Sequence, residues 1–204
     1  MALTQPYEVL GYHSCDKKLA LEVLTGTEKL KPSINPWDWL GEGIYFWEQN
    51  PVRSLEYGEE NARGIQFNKK KIETPFVLGA IIELRRCLNL LESESLALLK
   101  KMYLEMEQSY KEVGKPLPVN KDSNRRLDCT VLSYMRTVGR GNPDLRFDTV
   151  RCAFGEGDPI YPGTAITDRN HIQICVLNYE CIKGYFIPHP IERFNPYLYT
   201  AFRA

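Results

Sequence analysis

Two hundred and four residues, 43% of them apolar and 11% aromatic, are enough for one well-filled core, which excludes the disordered and fibrous classes. Twenty-six Lys and Arg balance 26 Asp and Glu, so no net field draws the chain onto nucleic acid or anionic lipid and any such binding must be local. No basic stretch leads into an apolar run at the start, and no segment nears the roughly 18 apolar residues of a membrane span, so the expectation is a soluble, unprocessed, cytoplasmic protein with no membrane partner.

In chain order, YEVLGYH (residues 7–13) reads as a strand. Ser14-Cys15-Asp16 then caps a helix whose Leu19, Ala20, Val23 and Leu24 share one face, and Gly26 ends it. Pro32, Pro36, Gly41 and Gly43 impose a loop before a short strand IYFW, and Asn50-Pro51 is a helix-start signal. Residues 75–84 (PFVLGAIIEL) suit a buried strand. Leu96, Leu99, Tyr103 and Met106 fall at helical spacing within 93–112, and Leu127, Val131, Leu132, Tyr134 and Met135 do so near 124–138. Strand-like runs at 148–154 and 171–177 flank the loop GEGDPIYPGTAITDRN, and KGYFIP follows as another strand. Strands at both ends with helices between predict an α+β fold, and no repeat or linker divides residues 1–204, so a single domain is expected.

Six widely spaced cysteines (Cys15, Cys87, Cys129, Cys152, Cys175, Cys181) form no CxxC pair, and several lie in apolar runs, the pattern of reduced core thiols. His13, His171 and His189 lack metal-ligand spacing, so no metal is expected. There is no GxGxxG after a strand, no Walker sequence, no GxSxG and no HExxH. What stands out is Tyr12-His13-Ser14 at the end of the first strand, and the segment Trp37-Asp38-Trp39-Leu40-Gly41-Glu42-Gly43-Ile44-Tyr45-Phe46-Trp47-Glu48. Its aromatics read equally as core. Its glycines permit close backbone approach of a ligand, and aromatic faces stack on planar cationic rings.

Together these residues resemble the NAD pocket of ADP-ribosyltransferases of the diphtheria-toxin and poly(ADP-ribose) polymerase type, which carry a His-Gly step, then a GxGIYF-like strand, then a catalytic Glu on a late strand. The late strand corresponds to Ile172-Gln173-Ile174-Cys175-Val176, followed by Tyr179-Glu180-Cys181-Ile182 and Gly184-Tyr185-Phe186. The resemblance spans residues 10–187, about thirty of which carry it. It implies two packed, splayed sheets around an NAD cleft, with NAD as ADP-ribose donor. It also implies that His13 holds a ribose hydroxyl of the adenosine side, that the Ser14 backbone pairs with the nicotinamide carboxamide, and that Tyr45 stacks on the nicotinamide with Tyr57 supplying the second ring face. Each such face is worth about 1–2 kcal/mol when desolvated. Two positions depart from the family. Ser14 stands for Gly, which crowds the approach. Gln173 stands for Glu, which keeps a hydrogen bond but removes a charge.

Glu156, Asp158 and Asp168 lie in the loop that faces the modified substrate in this superfamily. Residues 121–151 hold seven Lys or Arg against four Asp, so Arg125, Arg126, Arg136 and Arg140 form either a solvated surface or a nucleic-acid patch. Size and the lone domain resemble bacterial transferase toxins of toxin–antitoxin or phage-defence (antiviral) modules. That implies an antitoxin partner and a macromolecular acceptor, with nucleic acid favoured slightly over protein. The alternatives are a catalytically weak NAD- or ADP-ribose-binding module, favoured by Gln173, and an NAD glycohydrolase or RNA 2′-phosphotransferase of the same fold.

Overall fold

A computed structural model describes residues 8–36, 38–65, 72–121 and 124–202; Trp37, one of the loop aromatics named above, lies outside them. The chain runs β1 (Glu8–Asp16), α1 (Lys17–Leu24), β2 (Ile44–Glu48), α2 (Pro51–Ala62), β3 (Pro75–Glu83), β4 (Cys87–Asn89), α3 (Ser93–Glu112), α4 (Arg126–Gly141), β5 (Thr149–Phe154), β6 (His171–Val176), β7 (Ile182–Phe186) and α5 (Ile191–Phe194). The α+β class stands. Two helix starts follow the expected chemistry, for Asp16 accepts from the Lys18 N–H and Asn50 from the Arg53 N–H ahead of Pro51.

The strands form one mixed sheet in the order β4-β5-β6-β2-β1-β3-β7, where two packed sheets were expected. The reason is that β1 still pairs with β2, but only at Gly11–Glu48 and Tyr12–Trp47, whereas every residue of β1 from Glu8 to Asp16 pairs with β3. One sheet therefore has a narrow join at its centre. Apart from the parallel pair β4-β5, all neighbours are antiparallel.

Alternation along the strands gives the sheet two differently covered faces. The first carries Val9, Ile44, Phe46, Leu78, Ile82, Ile174 and Val176, closed by Ala20 and Val23 of α1. On the second face, Leu88, Val150, Cys175 and Tyr45 meet Met102 of α3 and Leu132 and Met135 of α4. Of the α3 positions singled out by spacing, Met106 is buried and Leu96 is 48% exposed; Met102, which the spacing left out, is buried beside Met106. Helix α2 covers the other half of the second face, close enough to β1 that a Cβ on Gly58 would lie 2.2 Å from Ser14 Oγ. Between α2 and the α3–α4 pair runs a strip of the second face bearing Tyr12, Trp47 and Gln173, side by side on neighbouring strands.

The cysteines are free, and all but Cys152 are buried. Burial pushes the Cys15 thiol up to about 12 and that of Cys87 to about 11. Among the described residues no helix is long and apolar enough to cross a membrane.

Candidate active site

The β1–β2 join is the first part of the site. Both backbone groups of Val77 are taken by the side-chain amide of Asn195, at 2.7 Å (N–H) and 3.0 Å (C=O). Its cross-strand partner Ser14 must therefore turn its own N–H and C=O away from β3, toward β2. Leu10, in the same phase, does accept from the Gln49 N–H at 2.9 Å on that side. Pairing with β2 stops at Tyr12–Trp47, so the Ser14 backbone groups open into a notch. The Tyr45 carbonyl, which a continued ladder would have given to the Ser14 N–H, accepts instead from His13 Nδ1 at 2.8 Å.

This bond fixes the chemistry of His13. A carbonyl only accepts, so Nδ1 carries the proton and Nε2 offers a lone pair. Burial lowers the His13 pKa, outweighing the upward pull of the Tyr45 carbonyl, so the ring is a neutral acceptor at pH 7. The His13 ring packs 5.7 Å from that of Phe46, on the first face. Tyr45, Trp47 and Gln173 point to the second face. The three residues expected to line one cleft thus meet only around the notch, where the two faces communicate.

Tyr45 is more firmly structural than its expected stacking role requires. Its hydroxyl donates to the Gly41 carbonyl at 2.6 Å and accepts from the Leu40 N–H at 2.9 Å, bracing the loop ahead of β2, and burial raises its pKa. The two glycines of that loop also have uses within the fold. Gly41 adopts φ +79°, and a Cβ on Gly43 would stand 2.3 Å from Cys175 Sγ. Tyr57 packs against the ring of Trp47 at 5.0 Å, two residues beyond Tyr45 on the same face of β2. Ser14 Oγ does not crowd the notch; it is buried against α2, where Gly58 makes room for it. Ser14 Oγ, Ser54 Oγ and Trp47 Nε1 are buried without a hydrogen-bond partner.

The second part lies on the strip beside the notch. His171 and Gln173, two apart on β6, share a face, and Gln173 Nε2 is 3.0 Å from His171 Nε2. His171 Nδ1 donates to the Arg169 carbonyl at 2.7 Å. Glu156 Oε2 lies 3.9 Å from His171 and 3.0 Å from a guanidinium nitrogen of Arg53, which is 6% exposed. Arg53 also stands 3.8 Å from Glu60, and Glu60 pairs with Arg169 at 2.8 Å. These ion pairs lash the loop before β6 onto α2.

Of the three loop acids, the fold brings only Glu156 to Gln173's neighbourhood. Asp158 and Asp168 instead close an exposed hairpin, in which the Asp158 N–H donates to Asp168 Oδ1 at 3.0 Å. His171, Arg53 and Trp47 are the site residues that sequence reasoning missed. His171 was legible from its i, i+2 relation to Gln173; Arg53 was not, since its partner comes from a loop 103 residues away.

The four arginines divide. Arg125 lies over the Trp39 ring at the start of α4, 5.2 Å from its centroid, while Arg140 is near the other end, about 22 Å away along a helix rising 1.5 Å per residue. Arg136 bonds Glu42 at 3.1 Å. With Arg86 and Arg146, Arg136 and Arg140 line a cavity of about 310 Å³. The expected single patch is therefore two separate basic places. No group of three or more potential metal ligands occurs among the described residues.

The chain is similar to an uncharacterized protein of Methanocaldococcus jannaschii, 26% identical over 205 residues that cover 91% of each chain. No known family profile and no solved structure matches it.

Proposed function

We propose that the chain is an NAD-dependent mono-ADP-ribosyltransferase that acts on a macromolecule, as a toxin or defence effector. The observation that carries this reading is the interrupted β1–β2 ladder. It leaves a backbone donor and acceptor of Ser14 side by side in a notch flanked by a neutral imidazole with Nε2 free to accept. A carboxamide needs one donor and one acceptor in line, and a ribose hydroxyl needs an acceptor, so these groups suit the nicotinamide carboxamide and the adenosine-side ribose of NAD. The buried, unpartnered Ser54 Oγ and Trp47 Nε1 add polar groups that such a ligand can satisfy. NAD, when bound, supplies a glycosidic bond to a cationic leaving group. Transfer breaks that bond, nicotinamide keeps the electron pair, and the acceptor's nucleophile bonds the ribose carbon after losing its proton. Gln173 is the residue placed to accept from a ribose hydroxyl. Gln173 itself brings no carboxylate to oppose positive charge at that carbon, and Glu156, 3.9 Å from the neighbouring His171, is paired with Arg53.

That last point favours a second reading, a module that binds NAD or ADP-ribose without turning it over. Incubating the purified full chain with NAD labelled in its adenylate half, in the presence of protein and RNA fractions, separates the two. Label fixed to a macromolecule, with release of nicotinamide, is the expected result. Binding of NAD with neither fixed label nor free nicotinamide supports the module, and no binding at all overturns both.

A further inference from the structure

We propose that His171 sets which end of the Gln173 side-chain amide faces the groove, meaning the strip of the second face between α2 and the α3–α4 pair, and that protonating His171 reverses it. The assignment of the amide follows from hydrogen-bond chemistry. The Arg169 carbonyl can only accept, so His171 Nδ1 carries the proton and Nε2 presents a bare lone pair. The group that satisfies this lone pair at 3.0 Å is the amide nitrogen of Gln173, which leaves Oε1, an acceptor, turned away from His171. Once Nε2 is protonated it becomes a donor. The amide must then rotate by half a turn about its last torsion, giving Oε1 to His171 and the NH₂ to the groove. Nothing moves but one planar group, yet an acceptor is exchanged for a donor at the place where, on the transferase reading, a ribose hydroxyl is held. His171 is thus a positioning residue for Gln173.

Surrounding groups decide where this exchange falls. His171 is 7% exposed, and the rings of Phe154 and Trp47 pack beside it at 5.9 and 6.5 Å. Burial disfavours the imidazolium, and the Arg53 guanidinium opposes it as well. The Arg169 carbonyl and the Glu156 carboxylate favour it; the net displacement is downward. Glu60, on α2, pairs with both Arg53 and Arg169. The acceptor-out arrangement therefore holds at neutral pH, and the donor-out arrangement takes over below the ordinary imidazole range.

The transferase reading gives this exchange its purpose, but the switch is tested without NAD. In the ¹⁵N-labelled full chain, two-bond ¹H–¹⁵N correlations report the His171 ring nitrogens, and the Gln173 NH₂ signals are assigned by their loss in Gln173→Leu. The expected result is an Nδ1-protonated neutral ring at pH 7.5, with Gln173 amide signals that shift along the same titration curve as His171 Nε2. A neutral ring protonated at Nε2, or Gln173 signals that ignore the His171 titration, overturns the proposal. NAD turnover measured alongside keeps the two ideas apart. Coupled titration in a chain that does not turn over NAD preserves the switch and removes the transferase, and turnover with uncoupled titration does the reverse. In an active chain, His171→Asn removes the acidic fall in kcat that wild type shows over the His171 titration.

Discussion

The two edges of β1 differ in what they do. Toward β3 the strand pairs along its whole length, and the side chains between them, Phe76, Leu78, Ala80 and Ile82, are fully buried. Toward β2 it pairs at two residues, and the polar groups past that point are aimed at something other than the ladder. One strand thus carries the fold on one edge and the candidate chemistry on the other. Substitutions at the two edges are expected to separate stability from activity.

The largest expected effect is at the β3 edge. Leu78→Ala should lower unfolding free energy by about 2–5 kcal/mol, read as a shifted denaturation midpoint, with turnover per folded molecule unchanged. At the notch the balance inverts. His13→Ala should reduce NAD turnover on the order of 10²-fold or more, while loss of its bond to the Tyr45 carbonyl lowers stability by only about 1 kcal/mol. Tyr45→Phe lies between, since Leu40 N–H and Gly41 C=O both lose their partner; a loss of about 1–3 kcal/mol is expected in the same denaturation experiment. Gln173→Ala should cut kcat on the order of 10²-fold with a modest change in NAD affinity, and Gln173→Glu should raise NAD hydrolysis.

The pH dependence of stability sharpens the contrast further. His13 and His171 are held neutral in the fold, with pKa values below that of the unfolded chain. Between the folded and unfolded values the unfolded chain binds more protons, so this stabilisation is complete above the unfolded value, near 6.5, and is lost as pH falls toward the folded one. Denaturation midpoints should decline from pH 7.5 to 5.5, and His13→Gln should make that decline shallower; an equal decline in the variant would show that His13 is solvated. The smallest effect concerns the basic cavity. If it contacts phosphates of an RNA acceptor, Arg140→Ser should reduce the log–log salt slope of RNA labelling by roughly 0.7–0.9, leaving NAD hydrolysis unaltered.

Local signals carried most of the elements. Asp16 and Asn50-Pro51 announced their helices, and the apolar runs of β1, β2, β3, β5 and β6 were legible. The three-residue β4 is too short to show a period, and of the α3 positions read from spacing Met106 is buried as expected, whereas Leu96 is exposed and Met102, off that spacing, joins the core. No local pattern says that β6 enters between β5 and β2, yet that register is what sets Gln173 beside Trp47. His13 and Tyr45 were found as motif positions. Their opposite faces and their meeting through a backbone carbonyl depend on where the β1–β2 ladder stops, which no single strand encodes.

If the notch at Ser14, flanked by His13, receives NAD for cleavage, nicotinamide release from NAD by the purified full chain, measured beside His13→Ala and Arg140→Ala, reads it out. Release by wild type and Arg140→Ala, and its loss in folded His13→Ala, is the expected result. No release by wild type with acceptor fractions present, or undiminished release by His13→Ala, would contradict it.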